Sequence, residues 1–442
     1  NNYRGIVDPV AGGGMGLLWG PKSPGTPSFS GATFGLIPGV EYKAYLRDRH
    51  GRHIDNIPAA VQIPRHFNPH KPCIVAASPS GSRSLYGGIG IAESALFKGC
   101  AVALPGKGTD TGFHLLTPDL ADDLDGVYQP AEALGDEAQF AVRRSRGLEE
   151  YVAANPHRVA TKHAHSQINP ERLWGEYALQ GIEFAFWALN DHFDRNGRHA
   201  FDKRNTLVIA AGASNGGGMS QRALEADGEG LIDAVVVTEP NIQPRDGRFA
   251  IRVGNEAPFD PRGRSLYDSI TLMSVYAACA AHAPGAAGTV LFGPLPAGIE
   301  RCTSLRDKGL VEGDTLIEQA NSAREKLRAH GYAAPQDWGI ASHDTLGLWR
   351  SLQATYANAH GRFAVQDNLC GVSFAGSDGL GRPAPLGGDV VARLFADSSG
   401  VPPTGGVNII ADAAANGPIV EAAAISRSTG RADLNIDSAL CF

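Results

Sequence analysis

The sequence predicts an α/β protein whose parallel sheet is covered by helices on both faces. Short apolar runs alternate with segments of helical periodicity between Cys73 and Asn241. The runs are continuous rather than alternating, as expected for parallel strands that are buried on both faces. After Asn241, helical stretches stand among glycine- and proline-rich loops, which indicates a mainly helical insertion that we interpret as a lid.

Local patterns predict the individual elements. Residues 41–64 predict a hairpin that turns at Arg49–Gly51, and the segment IGIAESALFKG predicts a helix that ends at Gly99. The strongest helical pattern begins with Asn169 as its N-cap and Pro170 at the first helical position. Short strands are predicted after Cys100, from Cys73 to Ala77, from Thr206 to Ala211 and from Val235 to Thr238.

These elements divide the chain into three parts. Residues 1–241 form the predicted α/β core, residues 242–405 form the helical lid, and residues 406–442 return to the core. We expect the core to continue on a segment beyond residue 442.

Composition and charge exclude several functional classes. The 442 residues include 39 Lys and Arg against 46 Asp and Glu, a net charge of −7, so neither nucleic acid nor an anionic membrane is an expected partner. No apolar run approaches the ~18 residues of a membrane-spanning helix. The six cysteines contain no CxxC pair, and the HxH spacing of His163 and His165 is a weak signal. We therefore predict no metal and no other cofactor.

The segment LVIAAGASNGGGMS places one serine in a glycine-rich turn. Gly212-Ala213-Ser214-Asn215-Gly216 matches G-x-S-x-G, with an apolar strand before it and a helix after it. This is the context of a nucleophile elbow, in which glycines are needed where a Cβ would clash. We predict that Ser214 is a catalytic nucleophile on an α/β-hydrolase fold. The alternative is a serine that only caps the helix.

The elbow also indicates which residues would surround the reacting atoms. The backbone N–H of Asn215 would face a developing oxyanion, and a second donor would come from Ser80 or Gly81, in the loop after an earlier strand. The glycine-rich PGKGTDTG segment lacks a phosphate-binding pattern and is interpreted as a loop at the carboxyl edge of the sheet. The predicted substrate-binding residues are Ser82, His165 and Glu239.

Segments spread along the chain resemble the D-(−)-3-hydroxybutyrate oligomer hydrolase family. They include KPCIVAASPSGSRSLYGGIG, GCAVALPGKGTDTG, KHAHSQINPE, GASNGGG and GLIDAVVVTEPNIQP, and the ending DLNIDSALCF is also similar. Tannases and feruloyl esterases resemble the chain more distantly. The resemblance implies a serine esterase, secreted or granule-associated, that cleaves short 3-hydroxybutyrate oligomers during polyhydroxybutyrate degradation, a part of lipid metabolism.

A catalytic triad also needs an acid and a histidine, which follow the serine in this fold. No histidine follows His360, and adjacent His343 and Asp344 would point about 100° apart on a helix, so they cannot pair with each other. The resemblance implies that the acid and the histidine lie beyond residue 442, and this chain would then be the larger part of the hydrolase. His343 is the first alternative base, and Asp433 is not assigned because no apolar strand precedes it.

Two other functions stay open: an aromatic esterase of the tannase or feruloyl type, and a non-catalytic polyhydroxybutyrate-binding protein on the same scaffold. The even number of cysteines is compatible with disulfides, so we expect an extracellular or periplasmic location, with a cytoplasmic, granule-associated one as the alternative. Cys73 and Cys100 open neighbouring predicted strands. We interpret them as two buried thiols, with a disulfide as the alternative.

Overall fold

The computed structural model describes most of the chain, and its described residues form two compact units. The described residues are 37–46, 56–81, 83, 85–193, 200–242, 250–252, 254–255, 257–258, 265–286, 293–392, 394–397 and 399–442. The first unit lies within Asn1–Ser145, Ala160–Asn241 and Gly387–Gly405. The second unit lies within Arg146–Val159, Ile242–Leu386 and Gly406–Phe442.

The strands of the described residues range from two to eight residues in length. They are β1 Gly39–Leu46, β2 Ile57–Pro64, β3 Cys73–Ser78, β4 Ala101–Pro105, β5 Phe113–Leu115, β6 Leu120–Asp122, β7 Tyr128–Pro130, β8 Val159–Thr161, β9 Leu207–Ala213, β10 Ala234–Thr238, β11 Val372–Ser377, β12 Pro383–Ala384, β13 Asn408–Ala411 and β14 Ile419–Val420.

The α-helices of the described residues lie between some of these strands and after the last one. They are α1 Ile89–Phe97, α2 Ala131–Leu134, α3 Arg146–Ala154, α4 Lys162–His165, α5 Trp174–Phe193, α6 Asn215–Ala226, α7 Leu266–Ala280, α8 Ala297–Asp307, α9 Leu316–Ala329, α10 Ile340–Thr345, α11 Leu348–Gly361, α12 Gly388–Val391, α13 Leu394–Asp397 and α14 Ile436–Cys441. Within the described ranges, no helix is long and apolar enough to cross a membrane.

The α/β class is confirmed by the main sheet of the first unit. Its strand order is β1-β2-β4-β3-β9-β10. Strand β3 pairs in parallel with β4 and β9, and β9 pairs in parallel with β10. Strand β2 pairs antiparallel with both β1 and β4. The predicted hairpin is therefore present, and its turn at Arg49–Gly51 lies outside the described residues. A second sheet has the order β7-β6-β5-β8.

Alternate residues of β3 pack into two different cores, so the sheet is covered on both faces as predicted. Ile74 and Ala76 join a core with α5 and α6, whereas Val75 and Ala77 join a core with α1. This alternation is the two-residue period of a strand. It explains why β3 is continuously apolar, because neither of its faces meets water.

The longest helix begins differently from the prediction. Pro170–Leu173 forms a 3₁₀ turn, and α5 follows from Trp174. Asn169 makes no side-chain cap hydrogen bond to the part of the chain that is described. Proline suits a first turn of either helix type because its missing N–H would have no partner there. The element was therefore predicted correctly, and its capping was not.

The second unit contains helices α7 to α11, which share an apolar core with Ile436 and Ala439 of α14. Helix α10 ends before α11 begins because Gly347, which lies between them, has φ 69°. The unit also holds a four-stranded antiparallel sheet of order β12-β11-β13-β14, which the prediction of a mainly helical insertion did not include.

The C-terminal residues pack with the second unit, whereas the sequence predicted that residues 406–442 return to the core. Arg301 of α8 gives the physical reason. Its guanidinium is fully buried and donates to the carbonyls of Ser274, Val275, Asp433 and Leu434, which ties the C-terminal segment to α7 and α8. Residues 387–405, predicted in the lid, pack instead with the first unit.

The carboxylate of Asp433 is buried and is held by hydrogen bonds from neighbouring residues. It is fully buried and accepts hydrogen bonds from the hydroxyls of Ser304, Ser426 and Thr429, at 2.6, 2.5 and 2.7 Å. The backbone N–H of Ile436 donates to it as well. A buried carboxylate with this many donors is held in place rather than offered to a substrate.

All six cysteines form disulfides, so the interpretation of Cys73 and Cys100 as thiols is wrong. These two residues precede Ile74 and Ala101, which are partners in the parallel pairing of β3 and β4. Neighbouring strands bring such positions close together, and the observed Cα separation of 4.8 Å lies within the range that a disulfide spans. The other bridges, Cys279–Cys302 and Cys370–Cys441, lie within the second unit.

Thiol titration of the denatured protein is expected to find no reactive thiol before reduction. After reduction, all six cysteines should react, because each is paired in the structure. Two reactive thiols that map to Cys73 and Cys100 before reduction would contradict the bridge between β3 and β4.

Candidate active site

Ser214 stands at the sharp turn between β9 and α6. Its φ of 52° and ψ of −121° are unfavourable for any residue with a Cβ. Three backbone hydrogen bonds hold this conformation. The N–H of Ser214 donates to Thr238 O at 3.0 Å, and its carbonyl accepts from Gly218 at 3.1 Å and from Asn241 at 3.3 Å. The turn is therefore fixed by α6 and by the loop after β10.

The two glycines that flank the turn are required by close backbone approaches. A Cβ on Gly212 would overlap the carbonyl of Gly216 and would lie 2.7 Å from Gly217 N. A Cβ on Gly216 would overlap the carbonyl oxygen of Ser78, with the carbonyl carbon at 2.9 Å. Distances below 3.0 Å are not tolerated by backbone atoms. This is the geometry that a nucleophile elbow needs.

The loop after β3 lies beside the first turn of α6. Ser78 is the parallel partner of Gly212, and Pro79 C would be 3.1 Å from a Cβ on Gly216. The loop then passes through Ser80 to Gly81, which has φ 54°. Ser82, predicted to bind substrate, lies outside the described residues.

Asn215 is the first residue of α6 and is buried. The N–H groups of a helix's first turn have no partner within the helix, and the helix dipole adds positive potential there. The turn at Ser214 and the loop after β3 therefore bring together Ser214, Asn215 and the segment that leads to Ser80 and Gly81. A group of this kind can bind an oxyanion beside a nucleophile.

A buried lysine connects the loop after β3 to the loop after β4. The side chain of Lys107 is fully buried, and its Nζ donates to the carbonyl of Gly81 and to Thr109 Oγ1, the latter at 3.0 Å. Its backbone carbonyl accepts from Trp174 Nε1 at 3.0 Å. Burial lowers the pKa of Lys107 to about 8. The PGKGTDTG segment thus follows the carboxyl end of β4, as predicted.

Two more charged groups, Asp110 and Lys162, are buried, and Asp110 interacts electrostatically with both Lys107 and Lys162. Asp110 is fully buried, and its Oδ2 accepts from Gly108 N at 3.1 Å. Burial raises the pKa of Asp110, while Lys162 and Lys107 act in the opposite direction. Lys162 is also fully buried and donates to the carbonyl of Asn56. Charges of opposite sign in one buried region compensate part of the unfavourable loss of water.

Sequence reasoning missed these buried charges because a loop with charged residues between glycines is usually exposed. One signal was present: Lys107 and Asp110 directly follow an apolar strand. The loops at the carboxyl ends of parallel strands meet at one edge of the sheet, where charged groups can be enclosed.

Glu239 follows β10 and has an unusual backbone with φ 48°. Its neighbour Thr238 accepts the N–H of Ser214, and Asn241 donates to the carbonyl of Ser214. The exposed Glu239 therefore lies in the segment that fixes the turn. The predicted contact of Glu239 with a substrate remains a prediction.

His165, the other predicted substrate-binding residue, is the last residue of α4 and is buried. The N–H of Thr161 donates to its Nδ1 at 3.0 Å. Burial lowers the pKa of His165 to about 3, and the donated bond also favours the neutral ring. His165 therefore stays neutral at physiological pH.

The titration of His165 predicts how stability depends on pH. The unfolded histidine has a pKa of about 6.5, so on acidification the unfolded state takes up this proton before the folded state does. The stability that the neutral His165 contributes to the folded protein is fully present above about pH 6.5. This stability is lost as the pH falls towards 3, by up to about 1.4 kcal/mol per pH unit. Urea unfolding of His165→Gln between pH 7 and 4 should therefore show a shallower loss than wild type.

The exposed His70 provides the matched control. His70→Gln should keep the wild-type pH dependence of stability. An identical slope for wild type and His165→Gln would contradict the low pKa of His165.

His343 and Asp344 belong to the second unit, and their side chains contact different residues. Asp344 Oδ1 pairs with Arg350 Nη1 at 2.6 Å, and Arg350 Nε also contacts Glu421 Oε2 at 2.8 Å. The ring of His343 meets Trp349 edge-on, and burial lowers its pKa. As predicted, the two adjacent residues do not form an acid–base pair.

Comparisons with known proteins show which family the chain belongs to. The model of the 3HB-oligomer hydrolase family matches residues 1–442, so the chain belongs to this family. The D-(−)-3-hydroxybutyrate oligomer hydrolase of Cupriavidus pinatubonensis is 41% identical over 452 residues, which cover 100% of this chain and 63% of that protein. The enzyme of the same name from Albidiferax ferrireducens is 41% identical and is covered to 64%. The chain thus spans less than two thirds of the length of these relatives.

Among solved structures, EstE1, a thermostable carboxylesterase from a metagenomic library, is 13% identical to this chain. The match covers 74% of this chain and 91% of that one, at a TM-score of 0.24.

Proposed function

We propose that the chain is part of a serine ester hydrolase that cleaves short 3-hydroxybutyrate oligomers. The observation that carries this proposal is the turn at Ser214, whose strained backbone and two crowded glycines match a nucleophile elbow. Membership of the 3HB-oligomer hydrolase family supports the substrate class. The order of the main sheet, with β9 between two parallel neighbours, supports an α/β-hydrolase fold.

In the proposed mechanism, Ser214 Oγ attacks the ester carbonyl and its proton passes to a base. The N–H of Asn215 and an N–H from the Ser80–Gly81 segment stabilise the oxyanion. The intermediate expels the alcohol end of the neighbouring unit, and water then releases the acyl group from Ser214. His165 and Glu239 are proposed to contact the substrate; because His165 is neutral, it would act by hydrogen bonding rather than by charge.

The acid and the histidine of the triad are proposed to come from a further segment of the protein. Two observations support this. Of the described strands in the main sheet, β10 is the outermost beside β9, and its Val236 is 62% exposed. An apolar edge strand of this kind is normally covered. The curated relatives are also longer than this chain, which covers 63% of the one from C. pinatubonensis.

Two further features of the protein remain proposals. We propose that helices α7 to α11 serve as the lid; their shared apolar core supports a compact cap. We also propose an extracellular or periplasmic location. The three disulfides support it, because such bonds persist in oxidising compartments.

A substrate panel tests the proposed function. Wild-type protein and Ser214→Ala are assayed on the 3-hydroxybutyrate dimer and trimer, and on feruloyl and galloyl esters. Turnover of the oligomers that disappears in Ser214→Ala is expected. Turnover of the aromatic esters alone would favour the tannase or feruloyl type. Binding of oligomers without turnover by the full protein would favour the non-catalytic alternative.

A further inference from the structure

The strongest feature outside the proposed reacting group is the fully buried ammonium of Lys107. A buried, charged lysine is costly, and burial is the main cause of its lowered pKa. Asp110 and Glu171 compensate part of this cost through their negative charge, while Arg83 opposes them. Methionine would fill a similar volume without any charge. A lysine at this position is therefore expected to make a specific contact through its ammonium.

That contact is the carbonyl of Gly81. Lys107 Nζ donates to it and to Thr109 Oγ1, and lies 5.8 Å from the centre of the Trp174 ring. The Trp174 indole holds the backbone of Lys107 by donating to its carbonyl. The lysine therefore connects a rigid position at the start of α5 to the loop after β3.

Side-chain packing does not fix the shape of this loop at Gly81. A Cβ placed on Gly81, where φ is 54°, would have no heavy atom of the described residues within 4 Å. The conformation is held instead by hydrogen bonds. The N–H of Arg83 donates to Ser80 O at 3.3 Å, and Lys107 holds the carbonyl of Gly81.

Donors that bind an oxyanion are effective only when they are fixed in advance of the reaction. We propose that Lys107 is a positioning residue, whose ammonium holds the Gly81 carbonyl and so orients the loop that supplies the second oxyanion donor beside Ser214. This inference rests on the proposed function. It assigns to Lys107 an effect on the transition state, through the loop, and no contact with the substrate.

Lys107→Met tests the inference, with Lys162→Met as the matched control. Both lysines are fully buried and both donate to a backbone carbonyl, Lys107 to that of Gly81 in the loop after β3 and Lys162 to that of Asn56. In the full protein, Lys107→Met should lower kcat on the 3-hydroxybutyrate dimer by about 10²-fold, the effect of misplacing a group by about 1 Å. KM should stay within about threefold, since the ground-state contacts remain. Lys162→Met should keep kcat within about threefold.

The outcomes distinguish a positioning role of Lys107 from a purely structural one and from a failure of the proposed function. An unchanged kcat in Lys107→Met overturns it, and so does an equal loss of kcat in both variants, which would indicate a merely structural role. If wild-type protein shows no turnover that Ser214→Ala removes, the proposed function itself fails. If Lys107→Met does not fold, Lys107→Gln decides, because its neutral amide is shorter than the lysine side chain and loses the ammonium contact with the Gly81 carbonyl. A loss of kcat at constant KM supports the inference, and an unchanged kcat overturns it.

Discussion

Ser214→Ala is expected to lower kcat by on the order of 10⁶, which is the cost of removing a triad nucleophile. The fold should persist, since alanine accepts the same backbone angles as serine and the backbone hydrogen bonds of the turn do not involve the side chain. Turnover of the hydroxybutyrate dimer and the urea unfolding curve measure the two effects separately. Residual turnover above a few per cent of wild type would show that Ser214 is not the nucleophile.

Ser214→Gly provides the matched control for the strained turn. Glycine adopts the observed φ of 52° and ψ of −121° without a Cβ penalty, so this variant should be about 1 kcal/mol more stable than Ser214→Ala. Both variants should be equally inactive. A glycine variant that is less stable than the alanine variant would contradict the strained backbone.

Gly216→Ala is expected to have the largest effect on stability. The new Cβ would overlap the Ser78 carbonyl, a backbone group that is fixed by the pairing of β3 with β9. Overpacking of this kind costs about 1–3 kcal/mol or more, and here neither side can rotate away. Urea unfolding should therefore show a loss of at least about 3 kcal/mol, or no folded protein.

Gly228→Ala is the control for the loss of a glycine as such. A Cβ at Gly228 meets no heavy atom within 4 Å in the part of the chain that the structure describes, and the φ of Gly228 is not in the left-handed region. Its free energy of unfolding should lie within about 0.5 kcal/mol of wild type, as is usual for surface substitutions. If Gly216→Ala behaved like Gly228→Ala, the close packing of the turn would be wrong.

The sequence predicted the elements whose signals are local. The strands at Cys73 and Leu207 are short apolar runs, and the turn at Ser214 carries its glycines within five residues. The strands are recognised as continuous apolar runs and the turn by the glycines that backbone crowding requires, and each signal lies within one short segment.

Features that depend on distant residues were not predicted. The Cys73–Cys100 bridge required the register of β3 against β4, and the burial of Lys107 required the neighbouring loop at Gly81. The sheet of β11 to β14 was missed because two of its strands contain only two residues each. The attachment of the C-terminus depends on Arg301, which lies 132 residues before Asp433 in the sequence.

Covalent labelling tests whether Ser214 is the nucleophile. The full protein is treated with a fluorophosphonate, digested and mapped by mass spectrometry, with a sample saturated with hydroxybutyrate trimer as the competition control. We expect one stoichiometric adduct on Ser214, protection by the trimer and loss of turnover in proportion to labelling. Loss of turnover with the adduct on another residue, or full labelling of Ser214 with turnover retained, would contradict this expectation.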